Sequence, residues 1–169
     1  MNQIADKYSR EIAALLTKYP AGSQRSAVMP LLHLVQMDNG FISKHAIDEI
    51  AEILQMSTTE VASVVGFYTL YQDHPEGKYR FQICTDLPCA LRGADQFLND
   101  LCKALDIKPG ETTRDGLITV EEVMCLAACD KAPMFQIQGK DGLTYHENQT
   151  VETTMALVSE LREKEKMNE

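Results

Sequence analysis

The sequence has no run of about 18 consecutive apolar residues, which is roughly the length that a membrane-spanning helix requires. We therefore expect no direct membrane span. The opening stretch MNQIADKYSREIAALL carries Asp6, Arg10 and Glu11 inside its apolar pattern. A secretory signal peptide needs a basic start and an uninterrupted apolar core, so this stretch does not match one. Both absences predict a cytoplasmic protein.

Basic residues are scarce. The 16 lysines and arginines stand against 25 aspartates and glutamates, which leaves a net charge of −9. Nucleic-acid binding relies on basic side chains that neutralise phosphates, so this balance argues against a nucleic-acid partner. Apolar residues make up 44% of the chain, which is ordinary for a globular protein that packs a core without disulfides.

A catalytic pattern is also missing from the sequence. We find no glycine-rich phosphate loop and no Ser-His-Asp or Cys-His arrangement. We therefore predict no catalytic residues, and nothing indicates that this chain itself binds a nucleotide cofactor.

Cysteines are few but are placed in close pairs. The chain has five, and four of them form a C-x4-C pair, Cys84 with Cys89, and a C-x3-C pair, Cys125 with Cys129. In a cytosolic protein such pairs more often bind metal or carry out redox chemistry than form structural disulfides. The fifth, Cys102, lies on the apolar face of a predicted helix, and we expect it to be buried and inert.

The pattern of apolar residues changes along the chain. Before residue 73 they recur at helical spacing, for example Ile47, Ile50 and Leu54. The segment Asp73-His74-Pro75-Glu76-Gly77 is polar and rich in helix breakers, which predicts a domain boundary. We therefore expect a helical domain over residues 1–76 and a second domain over residues 77–169.

The second domain begins with an alternating, strand-like pattern. A helical pattern, a second strand, a hairpin and a last helix follow it. The predicted elements are a strand over 79–83, a helix over about 89–106, a strand over 117–123, hairpin strands over 134–137 and 143–145, and a helix from Thr150. The predicted fold class is α+β: an N-terminal helical bundle followed by a thioredoxin-like domain with a four-stranded mixed sheet flanked by helices.

This topology gives the cysteine pairs a common location. Cys84 falls just after the first strand and Cys89 at the N-terminus of the crossover helix, while the second pair follows the second strand. Parallel strands end at the same edge of a sheet, so both loops should meet there. The helix N-terminus would add unpaired N–H groups and a positive dipole near Cys89.

Three kinds of site remain open for four cysteines in this arrangement. Two iron atoms hold the ligand pairs farther apart than one ion does, so the C-x4-C and C-x3-C spacings favour a [2Fe–2S] cluster. Structural zinc prefers C-x2-C knuckles, although longer spacings occur. A thiol–disulfide pair is the third possibility, although catalytic dithiols are more usually C-x-x-C.

The motifs together resemble a known family. They are Gly66-Phe67-Tyr68, Cys84-x4-Cys89, the run GETTRDG from Gly110, the run CLAACD from Cys125, and Ala132-Pro133. The second half resembles the thioredoxin-like [2Fe–2S] ferredoxins. The whole chain is similar to the NuoE-type subunits of bacterial NADH:quinone oxidoreductase, respiratory complex I.

The resemblance implies a cluster, a partner and a role. One [2Fe–2S] cluster would be bound, with Cys84 and Cys89 on one iron and Cys125 and Cys129 on the other. FMN and NADH would sit on a partner flavoprotein of the NuoF type, docked by the N-terminal helices, and further complex subunits would follow. The chain would be an electron carrier without a substrate site of its own, cytoplasmic and peripheral to the inner membrane through the complex.

The resemblance leaves other host enzymes open, and the chain departs from the family pattern at one position. The equivalent diaphorase subunit of an NAD-linked hydrogenase or formate dehydrogenase is an alternative, and a structural zinc-binding adaptor is a less favoured one. The family pattern has glycine where this chain has Ala127. We expect its methyl group to crowd the loop or to alter an N–H···S contact.

The aromatic group Phe67, Tyr68 and Tyr71 precedes the predicted boundary. One interpretation is a core that packs the helices onto the sheet. The other is a surface for a partner, because aromatic residues are enriched at interfaces.

Overall fold

The computed structural model describes residues 2–168, and within them the chain forms eight α-helices and four β-strands. It divides into two compact units, the first ending at Pro75 and the second beginning at Glu76. In this part of the chain, none of the helices combines the length and the apolar character that crossing a lipid bilayer demands.

The first unit is entirely helical. Its helices are α1 (Gln3–Lys7), α2 (Ser9–Leu16), α3 (Val28–Asn39), α4 (Lys44–Leu54) and α5 (Thr58–Phe67). Ser43 caps α4 by accepting the N–H of Ala46 at 3.1 Å. Ser57 and Glu60 form the capping box that opens α5. The capping residues Ser43 and Ser57 are therefore local sequence signals for the first residues of α4 and α5.

The apolar faces of these helices pack around one core. Its fully enclosed members include Leu31, Leu32, Val35, Ile42, Ile50 and Val61. Phe67, at the end of α5, points outward instead, with 77% of its surface exposed, and Tyr68 is also exposed. Neither Phe67 nor Tyr68 is therefore part of the core of this unit.

The second unit contains the sheet. Its elements are β1 (Tyr79–Cys84), α6 (Leu87–Ala90), α7 (Ala94–Leu105), β2 (Ile118–Val123), β3 (Phe135–Gly139), β4 (Gly142–His146) and α8 (Val151–Asn168). The strand order is β2-β1-β3-β4, with β1 parallel to β2 and antiparallel to β3. The predicted α+β class with a four-stranded mixed sheet is confirmed.

The two faces of the sheet differ in character. On one face, Phe81 and Phe135 stack with ring centroids 5.0 Å apart in a core that also contains residues of α7 and α8. The opposite face is polar and nevertheless buried. Its buried polar side chains include Arg80, Gln82, Thr119 and Gln136.

The crossover between β1 and β2 departs from the prediction. The single helix expected over residues 89–106 is two helices, α6 and α7. Gly93 separates them with a φ of 91°, a left-handed conformation that glycine adopts without steric penalty. Cys89 therefore lies in the short helix α6, and the prediction that it starts the long crossover helix is wrong.

Candidate metal centre

Cys84 occupies the last position of β1. Its N–H donates to the carbonyl of Met134 at 3.4 Å, and its register partner on β2 is Val123. The next residue, Thr85, donates its N–H to the Val123 carbonyl at 3.1 Å. These bonds hold the first cysteine at the carboxyl edge shared by the two parallel strands.

Cys89 is fixed by the turn that opens α6. The carboxylate of Asp86 accepts the N–H of Leu87 at 3.0 Å, and the Asp86 carbonyl accepts the N–H of Cys89 at 2.7 Å. This turn folds the chain back after β1, and Cys89 becomes completely buried. The first pair therefore lies on the closed side of the site.

The second cysteine loop follows β2. Ala127 has a φ of 59°, and its N–H donates to the Sγ of Cys125 at 3.3 Å. The hydroxyl of Tyr145 on β4 donates to the Leu126 carbonyl at 3.3 Å and so ties this loop to the sheet. Cys125 is exposed and Cys129 is partly buried, which leaves this side of the site open to solvent.

The two loops meet in one apolar cluster. Cys84 and Cys89 are buried there with Ala94, Ala132 and Met134, while Leu126, Ala128 and Cys129 pack against them. The thiol of Cys89 is close enough to those of Cys84 and Cys129 for each to shift its pKa. Cys129 interacts in the same way with Cys125. The structure therefore brings together the pairs that the topology predicted to meet.

Burial shifts these thiols toward the protonated form. It is the largest cause that raises the pKa of Cys89 to about 12, followed by the neighbouring thiol of Cys84. Burial and then Cys125 also raise the pKa of Cys129. Metals bind the thiolate, so a metal centre in this site would displace the thiol protons.

The donor set suits a sulfur-ligated centre. The neighbouring thiols are soft ligands of the kind that bind zinc and iron–sulfur groups, and the surrounding side chains are apolar. One backbone N–H already points at a sulfur, a contact that tunes iron–sulfur potentials. Among residues 2–168, no group of three or more His, Cys, Asp or Glu side chains is arranged around one metal ion. An iron–sulfur cluster with two irons takes two cysteines on each iron, so it does not need such a group.

Cys102 belongs to a different environment. It is buried in the main core of the second unit with residues such as Phe97 and Leu101. Burial raises its pKa to about 11, with a smaller effect from Glu111. The expectation that this cysteine is buried is confirmed.

The run GETTRDG serves as scaffold. The Asp115 carboxylate accepts the N–H of Leu117 at 3.1 Å and the hydroxyl of Thr113, and it pairs with Arg162 of α8 at 2.8 Å. These contacts set the turn from which β2 starts. The motif therefore positions the start of the strand that leads to Cys125.

Sequence reasoning missed two contributors to the site. The pattern around Tyr145 predicts only a hairpin strand, because its bond to Leu126 spans distant parts of the chain. Met134, just before β3, lies in the same buried cluster as Cys84, and its carbonyl accepts the Cys84 N–H; the sequence does not show this contact for the same reason. The positive φ of Ala127 had a signal in the sequence, since the resembling family has glycine at that position.

A family model matches most of the chain. Residues 12–162 match the family described as Thioredoxin-like [2Fe-2S] ferredoxin. NADH-quinone oxidoreductase subunit 2 of Thermus thermophilus is 41% identical over 152 residues, which cover 90% of this chain and 82% of that protein. An NADH-quinone oxidoreductase subunit of Rickettsia prowazekii is 42% identical over 134 residues, 78% of this chain and 76% of that one.

A solved structure shares the fold. The crystal structure of an NAD+-reducing [NiFe]-hydrogenase in the H2-reduced state aligns with 80% of this chain at a TM-score of 0.67 and 22% sequence identity. This chain covers 22% of the matched hydrogenase chain. At this identity the likeness shows the fold alone.

Proposed function

The chain belongs to the thioredoxin-like [2Fe–2S] ferredoxin family, and from that membership we propose that its paired cysteines hold one [2Fe–2S] cluster. The first pair would bind one iron and the second pair the other. The proposed ligands are Cys84, Cys89, Cys125 and Cys129. When bound, such a cluster supplies one-electron transfer.

The observation that carries this proposal is the meeting of the two loops. Cys129, from the second pair, packs against the buried cluster that contains Cys84 and Cys89, from the first pair. Each pair alone is a common pattern. Their convergence at the carboxyl edge of parallel strands supports a single shared centre.

The residues of this chain divide the work of holding the cluster. Burial of Cys84 and Cys89 keeps water from the inner side of the site. The Ala127 N–H offers a hydrogen bond to the Cys125 sulfur, and hydrogen bonds to ligand sulfurs favour the reduced, more negative cluster. The exposed position of Cys125 leaves a side at which an electron can enter or leave.

We further propose that the chain is the electron-transfer subunit of an NADH-oxidising module. FMN and NADH would sit on a partner flavoprotein, and this chain would have no substrate site of its own. The relatives named NADH-quinone oxidoreductase subunits, at about 40% identity over most of their length, support this host. By this proposal the protein is cytoplasmic and reaches the membrane only through its complex.

Exposed apolar side chains support a partner near the site. Leu87 and Leu91 flank Cys89 at one turn's spacing in and after α6, and Met124 precedes Cys125; all three are largely exposed. In the first unit, Phe67 and Tyr68 are exposed as well. Apolar and aromatic surface of this kind is enriched in the cores of protein interfaces.

Anaerobic purification of the full chain tests the cluster. We expect a red-brown protein with two irons and two acid-labile sulfides per chain, whose visible absorption bleaches with dithionite. Cys89→Ser should abolish the colour, whereas the matched change Cys102→Ser should leave it. A colourless protein with one zinc would support the adaptor alternative, and four titratable thiols without metal would support the dithiol alternative.

The host complex is tested separately by affinity purification of the tagged chain from its native cell. Recovery of a flavin-containing subunit together with NADH:quinone oxidoreductase activity is the expected result. Recovery with hydrogenase or formate dehydrogenase activity would instead assign the chain to that enzyme.

A further inference from the structure

A buried polar network occupies the face of the sheet that carries Cys84. Side chains alternate along a strand, so Arg80, Gln82 and Cys84 of β1 lie on the same face. The Arg80 guanidinium pairs with the Glu121 carboxylate of β2 at 2.7 Å. The Gln82 amide donates to the same carboxylate at 3.2 Å and accepts a hydrogen bond from Gln136 of β3.

Water has little access to this network. Gln82 is 1% exposed, and the side chain of Glu121 is 18% exposed. Charges that are kept from water interact more strongly with one another than charges in solvent do, and dissolved salt screens them less. Arg80 also pairs with the Glu76 carboxylate at 2.8 Å, so one positive charge stands between two negative ones and the network keeps a net negative charge. This charge acts on its surroundings more through protein than through water.

Glu121 also lies near the proposed cluster. It is the register partner of Gln82, which is two residues from Cys84 on the same face. Given the usual rise along a strand and the usual spacing between strands, the Cα atoms of Glu121 and Cys84 are about 8 Å apart. Among the described residues, the core on the opposite face of the sheet carries no part of this network.

We propose that Glu121, held by Arg80 and Gln82, sets the reduction potential of the centre at Cys84. This inference rests on the proposed [2Fe–2S] function. One-electron reduction adds negative charge to the cluster, so a nearby, partly buried carboxylate disfavours reduction and lowers the midpoint potential. The electron comes from the external reductant, and no bond in the chain forms or breaks.

The next residue provides a matched control. Glu122 carries the same charge and is one step closer along the chain to Cys125, but it points to the other face of the sheet. It is exposed and accepts a hydrogen bond from the hydroxyl of Thr85 at 2.7 Å. Solvent therefore weakens the effect of its charge, although its distance from the cysteine loops is no greater.

The experiment is a redox titration of the cluster in the full chain, followed by visible absorption and electron paramagnetic resonance. Glu121→Gln, which removes one charge at nearly constant volume, should raise the midpoint potential. Glu122→Gln should raise it clearly less, and the difference should persist when the salt concentration is increased. Equal shifts for the two variants, or a larger one for Glu122→Gln, would overturn the inference.

A folding control keeps the test decisive. Circular dichroism should show the same fold for each variant, and if Glu121→Gln does not fold, Glu121→Thr removes the same charge with a residue that suits a strand. Absence of a cluster in the unaltered chain would overturn the proposed function itself. An intact cluster whose midpoint potential is the same in Glu121→Gln as in the unaltered chain would overturn only the role proposed for that carboxylate.

Discussion

At the residue scale, the least ordinary position in the site is Ala127. Its φ of 59° lies in the left-handed region, where a Cβ atom is strained and glycine is not. The resemblance to a family with glycine at this position predicted crowding in the loop and gave a signal for a positive φ, but the direction in which the Ala127 N–H points could not be predicted. It depends on how the loop turns to aim the Ala127 N–H at Cys125.

Replacing Ala127 by glycine should stabilise the protein. Relief of the left-handed strain outweighs the added flexibility of the unfolded chain by roughly 0.5–1 kcal/mol. Thermal unfolding under anaerobic conditions measures the change. The matched control is Ala128→Gly, because Ala128 has a φ of −130° and should lose stability instead. A loss of stability in both variants would contradict the role assigned to the backbone of Ala127.

Cys102 gives a second prediction at this scale, one that depends on pH. Burial raises its pKa to about 11, whereas an unfolded cysteine titrates near 8.5. Between these values the unfolded chain releases the proton and the folded chain keeps it. The stability contributed by the neutral thiol is therefore complete below about pH 8.5 and is lost as the pH rises toward 11.

Denaturant unfolding at about pH 8 and about pH 10.5 measures this loss in the unaltered chain and in Cys102→Ala. The free energy of unfolding of the unaltered chain should fall by about 2 kcal/mol more than that of the variant. The variant also lacks a buried sulfur at both pH values, so only the difference between the two pH values is informative. Parallel declines would show that Cys102 titrates normally in the folded protein.

At the scale of elements, sequence patterns predicted a helical first domain and all four strands but missed the break in the crossover. Ser43 and Ser57 cap α4 and α5 through hydrogen bonds to residues three positions later in the chain. Because these contacts are local, the residue types that make them can be recognised in the sequence. Leu91 and Arg92 are good helix formers, so the helical pattern in the sequence continues between the end of α6 and the start of α7. Gly93 was the remaining signal, and a single glycine inside a helical pattern does not by itself decide between a tolerated residue and a break.

Gly93→Ala should therefore destabilise the second unit. Nothing lies within 4 Å of the added Cβ, so the effect comes from the φ of 91° alone, and we expect a loss of about 1 kcal/mol. Gly66→Ala is the matched control. Gly66 lies within α5 with open space around it, and alanine there should stabilise the helix by roughly 0.5–1 kcal/mol. Urea unfolding distinguishes the two, and a gain in both would mean that Gly93 is not required for the break.

At the scale of the whole molecule, the sequence predicted the meeting of the cysteine pairs because topology alone requires it. Two parallel neighbouring strands must end at the same edge, whatever the side chains between them. The buried polar face of the sheet could not be predicted in the same way. Arg80, Gln82 and Gln136 alternate with apolar residues, and such a pattern ordinarily indicates a solvated face. Only the contacts among distant strands show that these polar groups satisfy one another.

The division of the chain into two domains stays a prediction. The boundary predicted from the sequence and the boundary of the compact units differ by one residue, Glu76. The sequence places the second domain at 77–169, whereas the compact unit begins at Glu76. Glu76 pairs with Arg80 at 2.8 Å, and both side chains are 9% exposed. A fragment that begins at residue 77 therefore loses one carboxylate from the buried guanidinium.

Two fragments test this difference: an initiating methionine followed by residues 76–169, and the same followed by residues 77–169. Both contain all four paired cysteines, so both should bind the cluster if the second unit folds alone. The shorter fragment should be less stable by roughly 1–3 kcal/mol, the usual effect of removing a charged partner from a buried group that keeps another. Glu76→Gln in the longer fragment is the matched control and should reproduce most of that loss, because it removes the charge without shortening the chain. Equal stability of the two fragments would show that the Glu76–Arg80 ion pair does not stabilise the second unit. The choice between the two boundaries would then make no difference to the stability of the fragment.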